Sequence, residues 1–471
     1  MFTSSSEAKE YIKTEKIEVL DLKYVDFNGR WRHVSLPAST FDSELLKEGV
    51  GFDGSSVGYK KTHSGDMVVI PDLSTGMIDP FWERKTLSFI CTIAEADSKQ
   101  PSSFDPRNVA KRAEEYLRNL GWVSKSCWGP ELEFYIFDKV LYDVSVTHPG
   151  YQIISGESIW DPEGLNNGFQ ILPMQGYHAM APADTHYELR SEIAAHLEAM
   201  GIRVKYHHHE VGGGGEAEIE IPMGGLLESS DRIMLIKYVA KMVGRRRSKS
   251  VTFMPKPIYG AGGNGMHVHQ ALWKENRNLF FDPKGYGGLS SIALSYIAGL
   301  FEHAPSLLAF TNPSTNSYRR LVPGFEAPTN LFFSLGNRSA AIRIPKYVTT
   351  EEEKRIEFRP PDATCNIYFC LTAKLLAGLD GVRKKSDSSL YGPIDEDIHT
   401  WPEEIIKKVK SLPKNLEEAL EGLTCDHEFL FQDDIFSQEL IDSWIEYKIK
   451  RELNQIRGRP HPFEFALYYD V

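Results

Sequence analysis

Four short stretches of the chain set acidic, basic and imidazole side chains two positions apart. Glu131 and Glu133 fall in GPELEFYIF, Glu216, Glu218 and Glu220 in EAEIE, His267 and His269 in MHVHQ, and Arg355, Glu357 and Arg359 in RIEFR. In a β-strand that spacing puts each set on one face, with Leu132, Ile219, Val268 and Phe358 turned to the other. A half-exposed strand shows the same alternation, so one such stretch alone says little. As a group they read differently, because a wet face would carry Thr, Lys and Ser, and glutamate is a poor strand former. Like charges on facing strands repel by up to ~1 kcal/mol per opposed pair, and a bound divalent cation removes that repulsion. Glutamate oxygens with one or two imidazoles form a hard donor set, suited to Mg²⁺ or Mn²⁺; a structural zinc site would draw on cysteine, and these segments have none.

Arginines supply the second half of the chemistry. Arg338 and Arg343 stand in NRSAAIRIP, with Arg355 and Arg359 in RIEFR. A lone arginine is more often a surface ion pair, but guanidinium groups beside divalent cations match phosphate oxygens bidentately. Metal plus arginines points to phosphoryl transfer from a nucleotide. No GxxxxGK[ST] and no protein-kinase motif occurs, so the nucleotide is held by another architecture. HHHEVGGGGEAEIE, residues 207–220, stays open between a metal site, a loop and a polar surface.

The elements that must position these groups follow from patterning. At 471 residues the chain exceeds what one core usually serves, which predicts two domains. A net charge of −12 argues against nucleic-acid or anionic-membrane partners. No apolar run approaches the ~18 residues of a membrane span, and MFTSSSEAKEYIKTEK lacks the apolar core of a secretory signal. Five cysteines without a CxxC pair read as reduced thiols of a cytoplasmic protein. IEVLDLKYVDF and RWRHVSLP flank Asn28-Gly29, a hairpin signal. TFDSELLKEG predicts a short helix, and MVVIPDL and TLSFICTIAE predict strands. The Ser- and Pro-rich stretch 96–107 is the linker candidate, and Pro106 opens a helix that Gly121 closes. YELRSEIAAHLEAMG and SDRIMLIKYVAKMVGRRR predict further helices. The expectation is an α+β protein: a small β-rich domain over 1–104 and a large α+β domain over 105–471.

Seven blocks, in order, resemble those of glutamine synthetase, type I, the long bacterial and archaeal form. They are FDGSS (52–56), GPELEFYIF (129–137), HHHEVGGGGEAEI (207–219), KPIYGAGGNGMHVHQ (256–270), NPSTNSYRRLVPGFEAP (312–328), NRSAAIRIP (337–345) and RIEFRPPD (355–362). The resemblance implies a β-grasp N-terminal domain and a catalytic domain whose curved antiparallel sheet, backed by helices, forms a funnel. It implies a cytoplasmic dodecamer of two hexameric rings with active sites shared between subunits, and L-glutamate, ammonium and ATP as substrates. By the same resemblance Glu133, Glu210 and Glu218 hold one Mg²⁺ or Mn²⁺, and Glu131, His267 and Glu357 hold a second. Asp53 takes the proton from ammonium, Glu326 closes the site, and Arg338 stabilises the transferring phosphoryl. Gly263, Arg320, Arg359, Tyr177 and Ser56 are implied on the substrate side, and His208, His269, Arg338, Arg343 and Arg355 on the ATP side. His207 and His209 read as structural.

The chain departs from the family pattern in three places. Gly262 stands where the family usually has Asn or a similar small residue, and Ala271 where it has Ser after MHxHQ. Tyr391, in SSLYGPIDED, is the nearest counterpart of a tyrosine that some type I enzymes adenylylate, in a shorter segment. A ligase joining glutamate to an organic amine, or a non-catalytic structural or regulatory relative, are the alternative readings; FDGSS favours ammonia and the six metal ligands favour catalysis.

Overall fold

Asn28 and Gly29 sit at the tip of a hairpin between strands β1 (Val19–Val25) and β2 (Trp31–Pro37). Asp26 Oδ1 closes the loop by accepting from the amides of Asn28 and Arg30. Gly29 has a φ of 87°, and a Cβ there would come within 2.7 Å of Asn366 Cα, so turn and packing both demand glycine. The computed structural model describes residues 2–59, 65–161, 163–164, 167–396 and 398–471. After helix α1 (Ser5–Thr14), the first sheet adds β3 (Val50–Asp53), β4 (Asp66–Pro71), β5 (Met77–Asp79) and β6 (Thr86–Glu95). Its order is β2-β1-β6-β4-β3, with β5 also on β6 and the central β1–β6 pair parallel. Helix α2 (Ser43–Glu48) is the TFDSELLKEG helix, with Asp42 accepting from the Leu45 amide and Gly49 ending it at φ 71°.

The stretch 96–107 joins this sheet to the rest, and its second half is packed. Asp105 accepts from the Ile93 amide and caps α3 (Pro106–Asn119). Buried Arg107 then ties the two halves of the molecule together. It donates to Asp72 at 2.9 Å on one side and to Asp231 at 2.8 Å on the other.

The second sheet is built on β7 (Lys125–Phe137), which runs on into a hairpin of β8 (Lys139–Asp143) and β9 (Gly150–Ile154). Its further strands are β10 (Tyr206–His209), β11 (Glu216–Glu220), β12 (Ser250–Thr252), β13 (Met266–Lys274), β14 (Arg277–Asn278), β15 (Phe333–Leu335), β16 (Ile342–Ile344) and β17 (Ile356–Phe358). The order is β10-β11-β7-β13-β17-β16-β15, with β12 on β7 and β14 on β13. All its pairs are antiparallel except β15–β16. Leu132, Phe134, Ala217, Ile219, Val268 and Phe358 are fully buried on the helix side. There α5 (Leu226–Arg246) and α3 lie against β7, and α9 (Ile367–Lys384) lies across both helices. Helix α4 (Tyr187–Ala199) packs on α5, and α6 (Ser291–Glu302), α7 (Ala304–Thr311) and short α8 (Ser317–Arg320) complete the middle of the chain. A core of buried side chains runs unbroken from the first sheet through these helices. Among the described residues no single helix is long and apolar enough to cross a membrane.

Candidate active site

Strand register turns the four polar stretches into three rows across one face. In the first, His208 lies opposite Glu218, which lies opposite Glu133. In the second, Glu220 and His267 flank Glu131 from its two sides. The third runs from His269 through Glu357 to Arg343. This face floors a cavity of about 830 Å³, whose walls include Glu210, Gly263, Arg320, Glu326, Arg338 and Arg359. Two groups of ligand atoms lying within 4.8 Å of one another are Glu131–His267–Glu357 and His208–Glu210–Glu218; a third is Glu131–Glu220–His269. Glu133 stands beside these groups: Gly265 donates to one of its oxygens, and the other is 3.7 Å from His267 Nε2. Position 210 comes from a loop instead of a strand, and the glycines after it allow the chain to turn back into β11. Gly214 and Gly215 take φ values of 93° and 99° there.

Charge is distributed unevenly over this floor. Burial works to raise Glu357, but Arg359 and Arg343 overcome it and hold the carboxyl low. Arg359 Nη1 donates to Glu357 Oε1 at 2.6 Å, and Arg343 Nη1 donates to Oε2. Glu131 is likewise held well below the carboxylate range against burial, by His269 and His267. On the other side the Val211 amide and His208 do not offset the crowding. Burial and the charges of Glu133 and Glu218 push Glu210 up to about 8, and burial with Glu131 and Glu133 raises Glu218 strongly. A divalent cation fits this donor set, because it would neutralise carboxylates that the protein itself leaves crowded. Two guanidinium donors, Arg343 Nε and Arg359 Nε, are buried without a partner among the described residues and suit an anionic ligand.

Other residues singled out from sequence take different places. Tyr177 stacks on His178 at 4.1 Å, and the Arg338 guanidinium lies 5.8 Å from the Tyr177 ring centre. Glu326 and Arg338, with side chains 55% and 54% exposed and 3.9 Å apart, form the rim. Glu326 takes a φ of 55°, a strained backbone for a non-glycine residue. His269 does not line the cavity; its Nε2 is 2.7 Å from Glu131 Oε1. Arg355 stands behind Tyr347, 5.7 Å from the ring centre, and does not line the cavity. Asp53 and Ser56 lie outside it as well: Asp53 is exposed at the end of β3, accepting from the hydroxyls of Ser55 and Ser56. Tyr391 is buried at 4% exposure against Phe301, with Lys410 3.5 Å from its hydroxyl. Sequence reasoning missed His178, Lys205 and Tyr347, which also line the cavity. They stand singly in loops or at a strand end, where no periodicity marks them. Glu157 was missed too; it is fully buried and holds His209, whose other ring nitrogen meets the Glu210 carbonyl oxygen.

Rows of carboxylates on a curved, largely antiparallel sheet, bordered by arginines and lacking a P-loop, define an enzyme that moves a phosphoryl group with divalent cations. Comparison with known proteins narrows that class. Residues 103–468 match the family description "Glutamine synthetase, catalytic domain", and residues 16–96 match "Glutamine synthetase, beta-Grasp domain". A glutamine synthetase of Frankia alni is 46% identical over 476 residues, covering 100% of both chains. One from Streptomyces coelicolor is 44% identical over 474 residues, again with 100% of each covered. The cryo-EM structure of Plasmodium falciparum glutamine synthetase superposes with a TM-score of 0.90 at 28% identity, covering 99% of each chain. The chain belongs to the glutamine synthetase family, in its bacterial form, with a β-grasp domain preceding the catalytic domain.

Proposed function

We propose that this cavity joins ammonia to the side-chain carboxylate of L-glutamate at the expense of ATP, giving L-glutamine, ADP and phosphate. The observation that carries the reading is the register itself, which aligns carboxylates, imidazoles and arginines across one sheet face. A carboxylate is a poor acyl donor because oxide would have to leave. A glutamate side-chain oxygen therefore attacks the γ-phosphorus of ATP, ADP departs, and γ-glutamyl phosphate forms. Ammonia then attacks the acyl carbon, and phosphate leaves with the oxygen.

Two Mg²⁺ or Mn²⁺ ions, held by Glu133, Glu210 and Glu218 and by Glu131, His267 and Glu357, would supply charge neutralisation for substrate and phosphates. The chain's own groups do the positioning. Arg320 is pinned by the carbonyl oxygens of Pro360 and Pro361, at 2.8 and 3.3 Å, and with Arg359 and Gly263 it orients the amino-acid substrate. Arg343 faces the ATP phosphates with His208, His269 and Arg355 support that side from outside the cavity lining, and Arg338 meets the transferring phosphoryl. Glu326, on its strained loop, closes the rim and excludes the water that would hydrolyse the acyl phosphate. Tyr177 borders the substrate side.

Asp53 and Ser56 serve the ammonium side. They lie outside their own chain's cavity, so a neighbouring subunit supplies them, in a dodecamer of two hexameric rings with shared sites. Hydroxyl donors from Ser56 and Ser55 keep the Asp53 carboxylate ionised, the state that attracts the ammonium cation whose proton it takes. Five free cysteines fit a cytoplasmic enzyme. The test is phosphate release from ATP and glutamate with ammonium, putrescine or ethylamine as acceptor. Ammonium-dependent release supports the proposal; preference for an organic amine replaces it with an amide ligase, and no acceptor-dependent release leaves a non-catalytic relative.

A further inference from the structure

We infer that Glu157, a carboxylate outside the cavity, positions the metal ligand Glu210 by way of His209. The inference deepens the proposed function and rests on its assignment of Glu210. Glu157 follows β9, is fully buried, and is absent from the cavity lining. Its Oε1 accepts from the amide and the hydroxyl of Thr185, at 2.6 and 2.9 Å. Its backbone carbonyl accepts from the Ile171 amide at 2.8 Å. Segments far apart in sequence thus fix this one carboxylate. Its Oε2 is left for His209, whose Nε2 stands 3.1 Å away. On the far edge of the same ring, Nδ1 lies 2.6 Å from the Glu210 carbonyl oxygen.

That carbonyl belongs to the peptide between Glu210 and Val211. The N–H of the same peptide, on Val211, donates to Glu210 Oε2 at 2.7 Å. A peptide is planar, so holding its carbonyl fixes the direction of its N–H, and with it the carboxylate that the N–H grips. The chain of contacts runs from Glu157 through His209 and this peptide to the ligand oxygen. Glu210 has need of it. Glu218 is paired on both sides by strands, whereas Glu210 lies just past the end of β10 and keeps one backbone bond to β11, from its amide to the Glu216 carbonyl at 2.9 Å. Gly176 packs on the same contact. Its amide donates to the Val211 carbonyl at 3.0 Å, and a Cβ there would come within 2.5 Å of the Glu210 carbonyl oxygen and 2.6 Å of His209 Cε1. The competing account is a brace, in which Glu157 only ties its own turn to Thr185 and has no bearing on the ligand.

The test is Mn²⁺ binding to the metal-free, full-length assembly, by titration calorimetry without nucleotide or amino acid. Wild type is compared with E157L, G176A and E210Q. Two ligand groups should give two classes of site, and the class that E210Q weakens is the one Glu210 serves. E157L keeps similar bulk and offers no acceptor. It should weaken that class by roughly ten- to a hundredfold, the usual loss when a group that orients a metal ligand is removed. The class held by Glu131, His267 and Glu357 should stay within about twofold. G176A drives a methyl onto the His209–Glu210 contact with Glu157 intact; it should weaken the same class, and it decides alone if E157L does not assemble. Wild-type affinity at that class overturns the inference, as does equal weakening of both classes, the signature of a brace. If E210Q leaves Mn²⁺ binding unchanged, Glu210 is no ligand, and the inference falls together with the proposed metal group. Failure of wild type to turn over ATP, glutamate and ammonium would sink the proposed reaction alone, since the Mn²⁺ comparison would still decide what Glu157 does.

Discussion

Replacing Glu357 with glutamine is the sharpest perturbation of the floor, because it keeps shape and removes charge. Glu357 is completely buried and accepts from Arg359 Nη1 at 2.6 Å and from Arg343 Nη1, with His267 Nδ1 3.8 Å from Oε1. The amide can keep one carbonyl acceptor, but its NH₂ must then face the other guanidinium, donor against donor. Breaking a buried ion pair from one side costs about 3–5 kcal/mol, a large share of the 5–15 kcal/mol typical of folded domains. The same change takes one anionic oxygen from the Glu131–His267–Glu357 group. Where phosphoryl charge must be managed, losing one such group should lower kcat by about 10²–10³-fold. Urea midpoints and light scattering follow fold and assembly, and phosphate release is titrated against Mg²⁺. Lower stability with an intact assembly, and turnover reduced by that factor, is the expected result. An E357Q enzyme with wild-type urea midpoint and turnover within threefold at equal Mg²⁺ would refute the reasoning. Lower stability with undiminished turnover would make Glu357 an arginine anchor only.

Three further outcomes are expected. Arg107→Met should lower the urea midpoint by the equivalent of about 3–5 kcal/mol, since it strands Asp72 and Asp231 without their shared cation; an unchanged midpoint would show that the two sheets dock without it. Asp21 is held down to about 2, against burial, by His33 and Lys23, so its contribution of about 2 kcal/mol is complete above the unfolded value near 4. That contribution is lost as pH falls through the folded value, so melting curves between pH 5 and pH 2 should drop less steeply for D21N than for wild type, and parallel curves would contradict the assignment. Glu326→Ala, at a half-exposed rim position, should leave stability within about 0.5 kcal/mol but let water in. The ratio of glutamine formed to phosphate released should fall below one, and a ratio unchanged from wild type would remove the closing role.

Much of the fold was legible because its signals are local. Asn28-Gly29 marked a hairpin, Asp42 and Gly49 bracketed a helix, and Pro106 opened another, each through backbone preferences of single residues. The 96–107 stretch looked like a loose linker, yet its second half is packed, because Asp105 and Arg107 find partners far along the chain. Tyr391 likewise sat in a loop-like run of small and polar residues, and only the packing of Phe301 and Lys410 encloses it.

The chain by itself determined which side chains share a face. Alternation along a strand is local geometry, so Glu131 with Glu133, Glu216 with Glu218, and His267 with His269 were paired before any partner strand was known. Only the folded molecule decided which strand lies beside which and at what offset, hence that Glu218 meets Glu133 and Glu357 meets Arg343. It also decided that one half of the floor is neutralised while the other is left crowded, and that Glu157 reaches His209 from a turn far along the chain. Register is set by long-range packing of the buried face and by loops of unrelated length, and burial and charge are sums over everything that packing brings near. Neither quantity is written in any one stretch of the chain.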